Sequence, residues 1–143
     1  MALPTTFTLE IVTPDRSLIR EEVDEAVVPG SEGDFGVLPG HTPLLSMLRI
    51  GELWYRQGQE KHYLAVAFGF VEVLPDRVTV LAQVGERAQE IDIARAERAK
   101  QRAEQRLAQL HLTPVDLDIE RARIALMKSL LRLQVATRAR TRV

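Results

Sequence analysis

Cysteine is absent from this chain, which excludes disulfide bridges and thiol chemistry and fits a reducing compartment. Long apolar runs are absent too. Uncharged stretches such as residues 64–71 fall far short of the ~20 residues that span a bilayer as a helix. The opening Met1-Ala2-Leu3-Pro4-Thr5-Thr6 has neither the basic segment nor the apolar run of a signal peptide. Clustered chemistry is equally scarce. His41, His62 and His111 are scattered, with no second His or Cys beside them, so they read as surface or turn histidines and not as metal ligands. None of Ser17, Ser31, Ser46 and Ser129 stands in a nucleophile elbow. The glycine-rich Gly30-Ser31-Glu32-Gly33-Asp34-Phe35-Gly36 lacks the Gly-Lys-Ser/Thr ending of a phosphate-binding loop, and its two acids would repel phosphate. No catalytic set and no metal site stand out, and there is no internal repeat.

Acidic residues disappear altogether near one end. Residues 121–143 hold seven basic side chains and no acid, a net of +7, whereas residues 1–86 hold 13 acidic and 6 basic ones, a net of −7. The overall charge of −1 hides this asymmetry. Two readings stand side by side: a solvated tail, or a surface for an acidic partner, whether protein, nucleic acid or nucleotide.

What is present is an ordinary globular composition, 45% hydrophobic and 27% charged over 143 residues, enough for one good core and one or two small domains. As far as about residue 84 the chain reads as short strands. Phe7-Thr8-Leu9-Glu10-Ile11-Val12 alternates apolar and polar, the period of a half-buried strand. Further strands are expected at 23–28, 44–50, 53–56, 62–70 and 77–82, separated by Pro14-Asp15, Gly30, Gly33, Pro39-Gly40, Gly51, Gly58 and Pro75-Asp76. That spacing argues for an antiparallel sandwich or barrel. Gln57-Gly58-Gln59 reads as a hairpin loop, and Pro75-Asp76 as a type I turn.

After Gly85 the pattern changes. Residues 88–110 contain no Gly or Pro and are rich in Ala, Glu, Arg and Gln, which are strong helix formers. Their stripe is Ala96, Ala99, Ala103, Leu107, Leu110. Thr113-Pro114 interrupts it, since proline cannot continue a helix interior. A second helix starts near Asp116, with Asp116, Asp118 and Glu120 suiting its positive end. Its stripe is Ile119, Ala122, Leu126, Leu130, Leu133. The small face of one helix is expected to pack on the large face of the other, with residues from about 138 frayed. The expected class is α+β: an N-terminal antiparallel β-sandwich over residues 1–86, followed by a C-terminal α-helical hairpin over 87–143. A two-helix hairpin buries one seam only, which is a reason to expect it to move.

The run from Val28 to Leu44 packs four glycines and three prolines into 17 residues, so several backbone angles are special. Taken with Gly69-Phe70-Val71-Glu72-Val73, Val78-Thr79-Val80-Leu81-Ala82 and Ile91-Asp92-Ile93-Ala94-Arg95-Ala96, it resembles the epsilon subunit of F-type ATP synthases. The resemblance runs in unbroken order over about residues 5–136.

That resemblance implies a non-catalytic rotor subunit of the central stalk, in a complex that couples ion transport to ATP synthesis. Its sandwich would rest against the gamma subunit and the c-subunit ring, with Glu32 and Asp34 on the ring-facing loop; ordinary turn solvation is the plainer reading of both acids. Its hairpin would extend along gamma toward the alpha and beta subunits and inhibit ATP hydrolysis, using a basic face of Arg121, Arg123, Lys128 and Arg132. The resemblance also implies a regulatory ATP site on the folded hairpin, at Glu86, Ile91, Asp92, Arg95, Ala96, Arg102, Lys128 and Arg132. Seven residues are nearly two turns, so Arg95 and Arg102 share a side, as do Lys128 and Arg132 four apart. Family members that bind ATP carry arginine where this chain has Lys128, which keeps the charge and loses the planar fork. The plainer reading is that Asp92 caps or salt-bridges the hairpin while the arginines are solvated. No cofactor is required, and membrane association would come only through the complex, at the cytoplasmic face of a bacterial plasma membrane.

Two rivals predict different behaviour. A nucleic-acid module built on the arginine-rich second helix would show salt-dependent DNA or RNA affinity, against which the acidic sandwich argues. A sandwich enzyme would need a cleft of convergent polar groups, for which the sequence offers no candidate.

Overall fold

A computed structural model describes residues 4–109 and 116–140. The chain divides into two compact units, residues 1–87 and 88–143.

The first unit is built from eight strands: β1 (Phe7–Val12), β2 (Ser17–Val23), β3 (Glu25–Gly30), β4 (Gly33–Val37), β5 (Leu44–Met47), β6 (Gly51–Gln57), β7 (Glu60–Val73) and β8 (Arg77–Arg87). They run in the order β2-β1-β8-β7-β6-β3-β4, with β5 on β7. In β1 the alternation of the sequence becomes alternation of burial: Phe7, Leu9 and Ile11 are buried and Thr8, Glu10 and Val12 are not. The same device on the other strands gathers Val28, Leu53, Leu64, Val66, Val71, Val73, Val78 and Val80 into one core. Each such side chain is worth about 1.5–3 kcal/mol when taken fully out of water.

The β7 strand changes sides part-way. Leu64 and Val66 are buried before the switch, Val71 and Val73 after it. Between them Phe68 has φ 61° and Gly69 φ 112°. A Cβ on Gly69 would fall on the backbone carbonyl of Leu81 in β8, so only glycine fits there. Pairing with β8 keeps one register through the switch, from Leu64↔Arg87 to Val73↔Val78. One long sheet thereby serves both layers of a sandwich.

Two strands exceed the sequence expectation. In β2 both Leu18 and Ile19 are buried, because the register with β1 shifts between Ile11 and Val12; the strand lacks clean alternation for that reason. The short Gly-Asp-Phe-Gly-Val strand β4 has little intrinsic strand preference and forms by pairing with β3. The expected strand at 23–28 is two pieces, since Val23 ends β2 and Glu25 opens β3. Residues 44–50 shorten to β5, Leu48 making only a bridge to Gly30. By contrast, β7 and β8 outrun 62–70 and 77–82. The sheet is also not wholly antiparallel: β1 and β8 pair in parallel, Thr8↔Arg77 to Val12↔Leu81. They are far apart in sequence, so no tight turn dictates their direction.

The turns hold by specific bonds. Gly58 (φ 62°) sits in the β6–β7 loop, its N–H donating to Asp24 Oδ2 at 2.6 Å while its carbonyl accepts from Arg56 at 2.8 Å. Leu74 and Arg77 exchange backbone bonds of 2.8 and 3.4 Å around Pro75-Asp76.

The second unit opens with a 3-10 turn (Ala88–Glu90), followed by α1 (Ile93–Gln109) and α2 (Asp116–Arg140). The helix therefore starts five residues later than the expected residue 88. Leu110 and Thr113-Pro114 lie outside the described residues. So do residues 141–143, and α2 itself continues through 138 to Arg140.

The seam of the hairpin keeps Ala96, Ala103 and Ala122 of the expected stripes and corrects the part assigned to the leucines. Buried positions are Ala96 and Ala103 on α1, and Ala122, Ser129, Val135 and Ala136 on α2. Small residues seven apart line both helices, so small faces small. Leu130, assigned to the stripe, is 45% exposed, and Leu126 and Leu133 are only half-buried. Close approach of two backbones favours alanine and serine at the contact and displaces bulkier leucines to its flanks. Ser129 is satisfied within its own helix, its hydroxyl donating to the Leu126 carbonyl at 2.9 Å.

Candidate functional site

The β3–β4 hairpin carries the two acids singled out from sequence, and it treats them differently. Ser31 and Glu32 form the two-residue tip between the paired Gly30 and Gly33 (φ 128°). Glu32 is exposed. Asp34, one residue into β4, accepts a charge-assisted bond from Arg49. Asp34 is thus engaged inside the unit, a partner that sequence spacing gave no means of finding.

On the outward face of the sheet lies a feature that the sequence reading missed. Met47 on β5 is opposite Phe70 on β7, Phe70 opposite Leu81 on β8, and Leu81 opposite Val12 on β1. Leu45, two residues before Met47, extends the row. Leu45, Met47, Phe70 and Leu81 are 71%, 59%, 44% and 41% exposed. An apolar stripe four strands wide marks a surface for another protein. Apolar residues at both parities of the 69–73 and 78–82 segments were the available signal, since a strand with a wet outer face should be polar there.

A third group lies on the helical unit. Asp92 is the N-cap of α1: its Oδ1 accepts the Arg95 N–H at 3.1 Å and its carbonyl the Ala96 N–H at 3.0 Å. The capping role weighed from sequence is therefore present. Ile91 and Ala96 are buried, and Arg95 and Arg102 are exposed. Arg95 and Arg102 each precede a buried seam alanine; Lys128 precedes buried Ser129, and Lys128 and Arg132 are half-buried. These four cations flank the seam on its two helices. Glu86 belongs to the strand unit, opposite Ala65 on β7. On α2, Arg121 and Arg123 are exposed. Among the described residues no group of three or more His, Asp or Glu side chains is placed to hold a metal ion.

Comparison with known proteins places this architecture. The family described as ATP synthase, Delta/Epsilon chain, beta-sandwich domain matches residues 6–88, and its long alpha-helix domain matches residues 89–137. The chain belongs to the ATP synthase delta/epsilon chain family. Among relatives, ATP synthase epsilon chain 2 of Syntrophotalea carbinolica is 52% identical over 130 residues, covering 91% of this chain and 93% of that one. The epsilon chain of Syntrophobacter fumaroxidans is also 52% identical, over 128 residues, 90% and 93% of the two chains. A chain of the Euglena gracilis mitochondrial ATP synthase, in a structure of OSCP, F1 and c-ring, shares the fold with a TM-score of 0.80 at 24% identity, covering 96% of this chain and 84% of that chain. As a member of this family, with relatives that are ATP synthase epsilon chains, the chain is a non-catalytic subunit of an ATP synthase. Among the described residues no helix is long and apolar enough to cross a membrane.

Proposed function

We propose that this chain joins the rotor of its ATP synthase through an outward sheet face and the β3–β4 tip of the sandwich and regulates hydrolysis through the helical hairpin. The observation that carries the reading is the exposed stripe of Leu45, Met47, Phe70 and Leu81. Burying it against the gamma subunit gains the free energy of removing apolar surface from water, and suits a contact that persists through rotation. The acidic tip at Glu32 suits a polar loop surface, that of the c-subunit ring. Met47→Glu with Phe70→Glu tests this. The double variant should keep the wild-type circular dichroism and melting curve yet fail to enter an epsilon-depleted complex at concentrations that saturate it with wild type. Normal incorporation would remove the stripe from the interface.

The exposed Arg121 and Arg123, continued by Lys128 and Arg132 on α2, support a hairpin that is steered to acidic segments of the alpha and beta subunits. Regulatory ATP fits the cations flanking the hairpin seam, with Arg95 and Arg102 on α1 free to swing onto a triphosphate. At ten times its dissociation constant, ATP bound only to the folded hairpin would stabilise that state by about 1.4 kcal/mol. High ATP then releases the brake, and low ATP lets the hairpin extend. Calorimetric titration of the isolated chain with ATP, with an Arg95→Ala control, decides this part. Saturable binding lost in the control supports the sensor. No heat at millimolar ATP leaves the hairpin governed by rotor contacts.

A further inference from the structure

The β3–β4 hairpin projects as a two-residue tip, and such a tip alone has no fixed direction. Three links tie it to the end of β5 and the segment that leads on to β6. The Ser31 N–H donates to the Met47 carbonyl at 2.9 Å and the Arg49 N–H to the Pro29 carbonyl at 3.1 Å. The third is the Arg49 side chain, which spans both sides: one terminal nitrogen donates to the Ile50 carbonyl at 3.1 Å and the other to Asp34 Oδ1. On the Gly51 side the packing is close. A Cβ on Gly51 would stand 2.5 Å from Pro29 Cβ and 2.7 Å from an Arg49 terminal nitrogen. The guanidinium thus lies against Gly51 at the hairpin root, its two terminal nitrogens engaging Ile50 and Asp34, while the rest of it remains open to solvent.

We propose that Arg49 is a positioning residue for this hairpin, consuming the charge of Asp34 to hold the tip in one direction so that Glu32 alone is presented outward. The consequence for the assembled enzyme rests on the reading of the tip as the ring contact; the orientation itself does not. Arg49 and Asp34 are 43% and 54% exposed, and exposed ion pairs add little to overall stability. The pair therefore selects among tip directions without being needed for folding. Lysine would keep the charge but lose the second fixed donor line.

Because the chain lacks cysteine, Ser31→Cys with Thr79→Cys places two unique spin labels on the full-length protein, one at the tip and one on β8. Pulsed electron resonance should give a single narrow distance for the otherwise wild-type chain. Arg49→Ala and Asp34→Asn should each broaden it with no shift in melting temperature. Arg49→Lys should restore it in part, and the charge exchange Asp34→Arg with Arg49→Asp more fully than either single change. A distance that stays narrow in both single variants overturns the proposal, as does broadening that appears only where the melting transition is lost. In vesicles carrying the reassembled ATP synthase, ion accumulation per ATP hydrolysed should fall in Arg49→Ala and in Glu32→Gln, and the charge exchange should recover only the loss due to Arg49. A fall with Glu32→Gln but not with Arg49→Ala overturns the positioning role. No fall with Glu32→Gln, while the label distances behave as expected, overturns the ring contact and upholds the positioning of the tip.

Discussion

At the scale of single residues, the fold depends on a few positions where the backbone tolerates one choice. Gly69 is one, with φ 112° and its missing Cβ facing the Leu81 carbonyl. Gly69→Ala combines strain with a backbone clash and should cost about 3 kcal/mol or more, measured by urea unfolding of the strand unit through Trp54 fluorescence. Asp92 is the second. Its carboxylate satisfies an otherwise orphaned N–H at the start of α1, so Asp92→Ala should lower the stability of the helical unit by about 1 kcal/mol, followed by far-ultraviolet circular dichroism. The same side chain belongs to the regulatory ATP site that the family resemblance implies. A cap and a ligand contact compete for one carboxylate, and Asp92→Asn, which preserves the cap, separates them. The cap was legible from the residue type and the helix formers behind it; the Arg49–Asp34 pair, 15 positions apart with Asp34 on β4 and Arg49 in the segment between β5 and β6, was not.

At the scale of elements, the hairpin shows where periodicity misleads. Both helices offer apolar residues at steps of three and four, and on α2 leucines and small residues share overlapping faces. Sequence favours the leucines because they gain more from burial. The packed hairpin buries Ala122, which the stripe included, together with Ser129 and Ala136 in place of the leucines, because closeness of the backbones decides which side chains fit between them. Replacement at the seam and at its flank should then differ sharply. Ala122→Leu overpacks the contact and should cost about 1–3 kcal/mol, whereas Leu130→Gln, at an exposed site, should change stability by no more than about 0.5 kcal/mol. Equilibrium unfolding of the two variants, followed at the helical band, gives the answer. Reversed magnitudes would restore the leucine stripe.

For the whole molecule, two units of unlike character follow one another. The strand unit has a core of its own, drawn from β1, β2, β3, β4, β6, β7 and β8. A fragment ending at Arg87 should therefore keep a cooperative melting transition and the Trp54 emission of the intact chain; a non-cooperative melt would show that the core needs the helices. Among its described residues the helical unit has no comparable core, only a seam of mostly small residues, and its cations concentrate toward residue 140. If that charge directs the hairpin in the assembled enzyme, inhibition of hydrolysis should weaken with rising salt, and the combined Ala variant of Arg121, Arg123, Lys128 and Arg132 should lose both the inhibition and its salt dependence.

The sequence by itself determined the class of the protein: strands then helices, a break near residue 87, an acidic first part and a basic end, and a glycine- and proline-rich run specific enough to carry the family resemblance. These are local properties, written in alternation, propensity and backbone permission, and they survive any rearrangement at longer range. Only the tertiary structure decided that β1 and β8 lie in parallel, that β7 turns over at Phe68-Gly69, that Met47, Phe70 and Leu81 form one exposed row, and that Arg49 holds Asp34 while Glu32 stays outside. Each of these depends on which strand lies beside which, and register is set by the packing of the whole core against its conformational entropy. No window of neighbouring residues contains that balance.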